Sequence, residues 1–280
     1  MHSSRRSPSA ATEAGNKTTS PFPPPKLQKP KRKTSLPLRG GPFLSYAPRI
    51  EGVLLTLERA LQGQRIWEPP CSIPLAGLDP DEEELLLGIL GEGSSVVEAP
   101  GETGQTAMAT MLSGVWFAER KTEADRLTHT IDVGVLPSFA VDRLAHLPSL
   151  RLPPMSLSSE SVAVSAVLQE LAEKENEWER EAAPREVNLL LHPLFPLDYE
   201  RLAAFLGQAP LLCWQEGRCR WWLLATQWRD IWRIEVRTTK GKSVASLLEV
   251  GRYPAALTFP PSAFAVGARR VRRLVQLYGE

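Results

Sequence analysis

Gly114-Val115-Trp116, then Ile131-Asp132-Val133-Gly134 and Pro137, return further along the chain as Asp230-Ile231-Trp232, Leu248-Glu249-Val250-Gly251 and Pro254. Working outward at an offset of 116, Leu78 falls on Leu194, Pro80 on Pro196, and Leu90-Gly91 on Leu206-Gly207. Gly101 falls on Gly217, Thr110 on Thr226 and Glu119 on Glu235; one inserted residue then aligns the last block, with Asp132 opposite Glu249. The shared residues are turn glycines, prolines and a tryptophan, types that backbone geometry and packing restrict. The pattern reads as an internal repeat. The fold class expected is α+β, a tandem repeat of two helix plus three-stranded antiparallel sheet units joined by a helical linker.

Local signals fill in the units. Leu54, Leu57 and Leu61 recur at helical spacing and Gly63 stops the run. Asp79, Pro80 and Glu82 mark a second helix start, and that start accounts for the acidic run Asp81 to Glu84. Strands are expected at Ser95–Glu98, Gln105–Arg120 (with a bulge at Ser113-Gly114) and His129–Val133, before a short helix from about Ser138. In the second unit, Gln215-Glu216-Gly217 suits a three-residue hairpin loop with glycine in the left-handed position, which would set Cys213 opposite Cys219. A helix over 157–183 connects the units, with Val164, Leu168, Leu171 and Trp178 on one face and a solvated acidic face. The expected divisions are 1–48, a basic proline-rich disordered tail; 49–150, the first unit; 151–188, the linker; and 189–280, the second unit with a C-terminal helix.

The net charge of +1 over 280 residues hides a split. Residues 1–40 hold nine basic side chains and one acid, a charge of +8, which leaves −7 on the rest. The tail alone would give weak, unspecific affinity for nucleic acid. Ser4-Arg5-Arg6 lacks the apolar segment of an export signal, and no window is long and apolar enough to span a bilayer. Three cysteines make no disulfide framework, so a reducing, intracellular compartment is expected. In the C-terminal helix Phe264, Val271, Leu274 and Tyr278 share a face, and four arginines (269, 270, 272 and 273) add charge; packing on the acidic body is favoured over membrane binding.

Five of eight tryptophans lie within 19 residues of the second hairpin, more aromatic surface than one face of a small sheet needs. The candidate partner-binding residues are Gly91, Glu92, Gly93, Trp116, Trp214, Trp222, Trp228 and Trp232. Cys213 and Cys219 are the one pair with redox potential, set against two thiols on a sheet face. No catalytic triad, phosphate loop or zinc signature is present in the sequence, and no catalytic residue, metal site or cofactor is expected.

Residues 50–280 resemble the HupH/HyaF family of nickel–iron hydrogenase expression and formation proteins. The resemblance rests on Leu90-Gly91-Glu92-Gly93, Gly114-Val115-Trp116, Ile131-Asp132-Val133-Gly134 with Pro137, Gly217-Arg218-Cys219-Arg220, Ala225-Thr226, Asp230-Ile231-Trp232, and Leu248-Glu249-Val250 with Pro254. It implies a cytoplasmic, non-catalytic accessory protein, acting on the iron–sulfur small subunit precursor before export and beside a thioredoxin-like hydrogenase accessory protein. No stable nucleic-acid or membrane binding is implied. A thiol-redox protein using Cys213/Cys219 and a nucleic-acid-binding regulator using the tail are the alternatives. The sequence departs from the family where the second turn reads Leu206-Gly207-Gln208-Ala209 and where the basic tail replaces an N-terminal Gly/Pro-rich motif.

Overall fold

The computed structural model describes residues 48–101, 104–121, 127–152, 161–181, 183–207 and 210–279. The expected basic tail, the hairpin tip at Glu102 and Thr103, and Gln208-Ala209 of the second turn lie outside the described residues.

Helix α1 (Pro48–Gly63) buries Ile50, Leu54, Leu57 and Leu61 on one stripe. Strand β1 (Cys71–Pro74) precedes α2 (Pro80–Leu90). Helix α2 opens on a capping box: Glu82 N–H donates to Asp79 Oδ1 at 2.9 Å and Asp79 N–H donates to Glu82 Oε2 at 3.0 Å. Two donors that the first helical turn cannot satisfy are thereby paired. Strands β2 (Glu92–Ala99), β3 (Gln105–Thr110), β4 (Val115–Lys121) and β5 (Leu127–Val133) form a meander that ends in α3 (Ser138–Ala145). After α4 (Val162–Glu181) the element order recurs as β6 (Arg185–Asn188), α5 (Pro196–Leu206), β7 (Leu212–Glu216), β8 (Cys219–Ala225), β9 (Ile231–Thr238) and β10 (Ser243–Val250). Helix α6 (Ser262–Gly279) closes the chain.

The ten strands form one antiparallel sheet in the order β1-β5-β4-β3-β2-β7-β8-β9-β10-β6. Its middle is the β2–β7 pairing, where Val97 stands opposite Cys213. Helices α1, α2 and α6 cover one end of one face, packing on Phe117, Ile131 and Val133. Helices α4 and α5 cover the other end through Leu171, Leu202 and Val187 against Ile231, Leu248 and Val250. The opposite face holds Trp116, Trp232, Ile234 and Leu223 under Phe139 and Ala140 of α3. Truncating any of these fully buried leucines to alanine costs about 2–5 kcal/mol.

Buried polar contacts recur at matching places. Trp116 Nε1–H donates to Gly134 O (3.1 Å) and Trp232 Nε1–H to Gly251 O (3.2 Å). Asp132 Oδ2 accepts from Ser138 N–H and Oγ–H, both at 2.7 Å, while Oδ1 accepts from Ser72 (2.7 Å) and Thr130 (2.9 Å). Glu249 Oε1 accepts from Ala255 N–H at 2.6 Å. Glu249 faces Glu186 on β6, where Asp132 faces Ser72 on β1. Burial pushes the Glu249 carboxyl up to about 7, against the opposing pull of the Ala255 N–H and with the help of Glu186.

Three expectations need correction. Each series holds five strands, not three: β1 and β6 add a four-residue edge strand to each, and the run expected as one strand over Gln105–Arg120 is two, β3 and β4, with β8 and β9 as their counterparts. β1 ends in Pro74 and β6 follows Pro184, and proline is tolerated at such edges while hiding the strand pattern. Ser113-Gly114 is no bulge: Gly114, at φ +72°, turns the chain between β3 and β4. The hairpin between β7 and β8 pairs Glu216 with Arg220 and Cys213 with Leu223, and Gly217 is not among the positive-φ glycines; Cys219 faces Thr238.

Candidate functional site

The Leu90-Gly91-Glu92-Gly93 turn delivers α2 into β2 at a place where only glycine fits. Gly91 ends the helix at φ +71°, and a Cβ there would lie 2.8 Å from Met111 Cγ. At Gly93 a Cβ would sit 2.7 Å from the main-chain oxygen of Thr110. Both glycines thus let β2 cross close to the 109–111 backbone. Glu92 between them is exposed and lines two clefts.

The first cleft, about 500 Å³, lies between α2 and the sheet. Leu87 and Leu127 supply its apolar wall, and Glu83, Glu84, Glu92 and Glu119 supply carboxylates. His129 sits between two of these, Nδ1 at 2.5 Å from Glu83 Oε2 and Nε2 at 3.4 Å from Glu119 Oε2. The Glu119 carboxylate raises the His129 pKa most; burial opposes it and Glu83 adds to it. The second cleft, about 620 Å³, is lined by Gly93, Met111, Trp116, Leu257 and Phe259 among others. Among the described residues no group of three or more His, Cys, Asp or Glu is arranged to hold a metal.

The structure brings Gly91, Glu92, Gly93 and Trp116 together at these clefts. It does not gather the other tryptophans there. Trp232 is buried, its N–H spent on Gly251. Trp214 and Trp222 pair across β7 and β8 and pack with Val96 and Leu212 near the middle of the sheet. Trp228 is half-buried, donates to Phe205 O at 3.0 Å and lies 5.4 Å from the Phe205 ring. The indoles of Trp116 and Trp232 act as pins between strand and turn.

The two cysteines do not form the expected opposed pair. Cys213 is 1% exposed and burial pushes its thiol far up, away from a reactive thiolate. Cys219 is half-buried on another strand position. The sequence reading missed His129, Glu83 and Glu119. Glu119 and His129 are cross-strand partners, so the signal was the β4–β5 register; Glu83 had been accounted for by the helix start.

Comparison with known proteins gives the chemistry a setting. Residues 162–278 match the model of the HupH hydrogenase expression protein, C-terminal conserved region. The chain is 26% identical over 238 residues to the hydrogenase expression/formation protein HupQ of Azotobacter chroococcum, covering 82% of each. It is 27% identical over 237 residues to HoxQ of Azotobacter vinelandii, again 82% of each. With HupH of Rhodobacter capsulatus it shares 26% over 211 residues, 73% of each. A solved structure of HupH from Thiobacillus denitrificans superposes with a TM-score of 0.38 at 23% identity, over 44% of this chain and all of that one. No helix among the described residues is long and apolar enough to cross a membrane. The chain is thus similar to the HupH family of hydrogenase expression/formation proteins, through its C-terminal region and along most of its length.

Proposed function

We propose that this chain is a non-catalytic, cytoplasmic assembly factor for nickel–iron hydrogenase that holds the iron–sulfur small subunit precursor before export, beside a thioredoxin-like accessory protein. One observation carries the reading: Glu92 stands on a sheet-anchored turn between two clefts, one joining an apolar wall to four carboxylates and one mixing apolar side chains with serines and threonines. Such a place offers recognition of a segment that is both basic and apolar, and rigid support lowers the ordering cost of binding. The exposed Leu127 and Met111 mark its two apolar margins. The relatives' names place them in hydrogenase expression and formation, which supports this role.

The recurring element order, the 116-residue offset and the paired tryptophan-to-glycine hydrogen bonds support a second part of the proposal. Residues 49–150 and 189–280 are two copies of one unit, joined through 151–188. The first copy carries the Gly91–Gly93 site, and the second copy buttresses it through the sheet.

Pull-down and calorimetry with purified small subunit precursor test the docking. Glu92→Lys and Leu127→Ser, both at exposed positions, weaken binding about tenfold or more and lower hydrogenase activity in cells. Wild-type affinity in both variants, or no association of the wild-type chain with the precursor, overturns the assignment.

A further inference from the structure

Helix α6 carries Arg269, Arg270, Arg272 and Arg273 and no acidic residue. Its inner stripe of Phe264, Ala268, Val271 and Val275 packs into the core beneath α1. Arg272 is satisfied by Glu58 of α1, with Nη2 at 2.6 Å and Nε at 2.7 Å from Oε1. The other three arginines are exposed and have no hydrogen bond or ion pair among the described residues. At 3.6 residues per turn they share an arc of about 100° with Val266 and Leu277, directly opposite the packed stripe. Val266 is 52% and Leu277 73% exposed.

Packing on the acidic body therefore accounts for the apolar face and one arginine only. Like charges three and four residues apart repel within a helix, and no described residue relieves Arg269, Arg270 and Arg273. The patch is opposite in sign to the −7 body that bears it. Val266 and Arg270 also edge a shallow cleft of about 300 Å³ beside Ser113 and Pro260, whereas Arg269, Arg273 and Leu277 lie outside its lining, so the stripe as a whole is an open helix face. An extended anionic surface can meet all five side chains at once, arginines at the charged level and Val266 and Leu277 below it. The first described residue, Pro48, lies near the same region. Glu58 lies against Arg272 and Leu61 against Gly267, so α1 runs antiparallel to α6 and begins, at Pro48, toward the end of α6.

We propose that the outer face of α6 is a docking surface for anionic lipid, holding the protein reversibly at a bilayer surface. The geometry requires no insertion beyond the two apolar side chains.

The test uses the full chain and phosphatidylcholine vesicles with or without phosphatidylglycerol, read by co-sedimentation at low and high salt. Wild-type protein binds the anionic vesicles and is released by salt. Arg269→Gln/Arg270→Gln/Arg273→Gln lowers the partition coefficient roughly a hundredfold, about fivefold per arginine. The same three positions changed to lysine retain binding within a few-fold. Glutamine and lysine are good helix formers, so thermal melts of both variants match the wild type. Equal binding to neutral vesicles, or a glutamine variant that binds like the wild type, overturns the proposal; the second result would assign binding to the tail. Absence of vesicle binding together with arginine-dependent capture of polyglutamate would replace the lipid with an acidic protein segment.

Discussion

Changing Glu249 to glutamine isolates the cost of a buried charge. The carboxyl is 1% exposed, accepts one hydrogen bond from Ala255 N–H, and lies across the β10–β6 ladder from Glu186. Burial raises it to about 7 from an ordinary value of 4.5. A folded-state pKa above the unfolded one means that the native protein holds the proton more tightly. Stability from this group is complete below the unfolded value and is lost as pH rises through about 7. At 1.36 kcal/mol per unit, the span amounts to about 3 kcal/mol. Glutamine keeps an acceptor for Ala255 and cannot ionise. Urea unfolding between about pH 5 and pH 8 should show wild-type stability falling relative to Glu249→Gln by about 3 kcal/mol over the window. The absolute offset between the two proteins reports the new amide donors, so the difference in slope is the measure. Parallel pH profiles would refute the reasoning, because they would mean that Glu249 is ionised in the native state without penalty.

Asp132, at the matching place, accepts four hydrogen bonds. Asp132→Asn turns an acceptor into a donor facing Ser138 or Ser72 and lowers unfolding free energy by about 1–3 kcal/mol, measured by the same titration. Gly93→Ala places a Cβ against the Thr110 oxygen and costs about 1–3 kcal/mol, whereas Gly88→Ala, with open space around it inside α2, gains about 0.5–1 kcal/mol; thermal melts separate the two. Glu119→Gln removes the main support of the raised His129 pKa, which should then fall toward 6.5 in a proton-NMR titration. His129 contributes stability below about 6.5 that is lost as pH rises through its folded value, so this variant loses that contribution at a lower pH than the wild type.

The helices were legible because their signals are local. Leu54, Leu57 and Leu61 repeat at 3.6-residue spacing, and Asp79, Pro80 and Glu82 announce the start of α2 within four residues. The strands were legible only where alternation ran unbroken. Met111 and Leu112 are apolar residues inside a turn, so Gln105 to Arg120 read as one strand when it is two. β1 and β6 owe their existence to pairing with β5 and β10, a tertiary fact that four residues cannot encode. Register failed for the same reason at the cysteines: a shift of the expected loop moved Cys213 from Cys219 to Leu223. The Gly91–Gly93 turn was visible as a glycine pattern. The Glu83–His129–Glu119 cluster was not, since it joins two strands to a helix residue that precedes Glu119 by 36 and His129 by 46 positions.

The short edge strands limit how any client can be held. Each offers at most four residues of outward-facing backbone, and each is bounded by proline: Pro70 and Pro74 at β1, Pro184 at β6. An incoming extended chain could form too few main-chain hydrogen bonds there to extend the sheet by another strand. The opposed inner edges are used up where β2 meets β7. Recognition by this scaffold must therefore run through side chains on its clefts and helix faces. That makes specificity a matter of charge and shape, and it leaves a client's backbone uncommitted and easy to release.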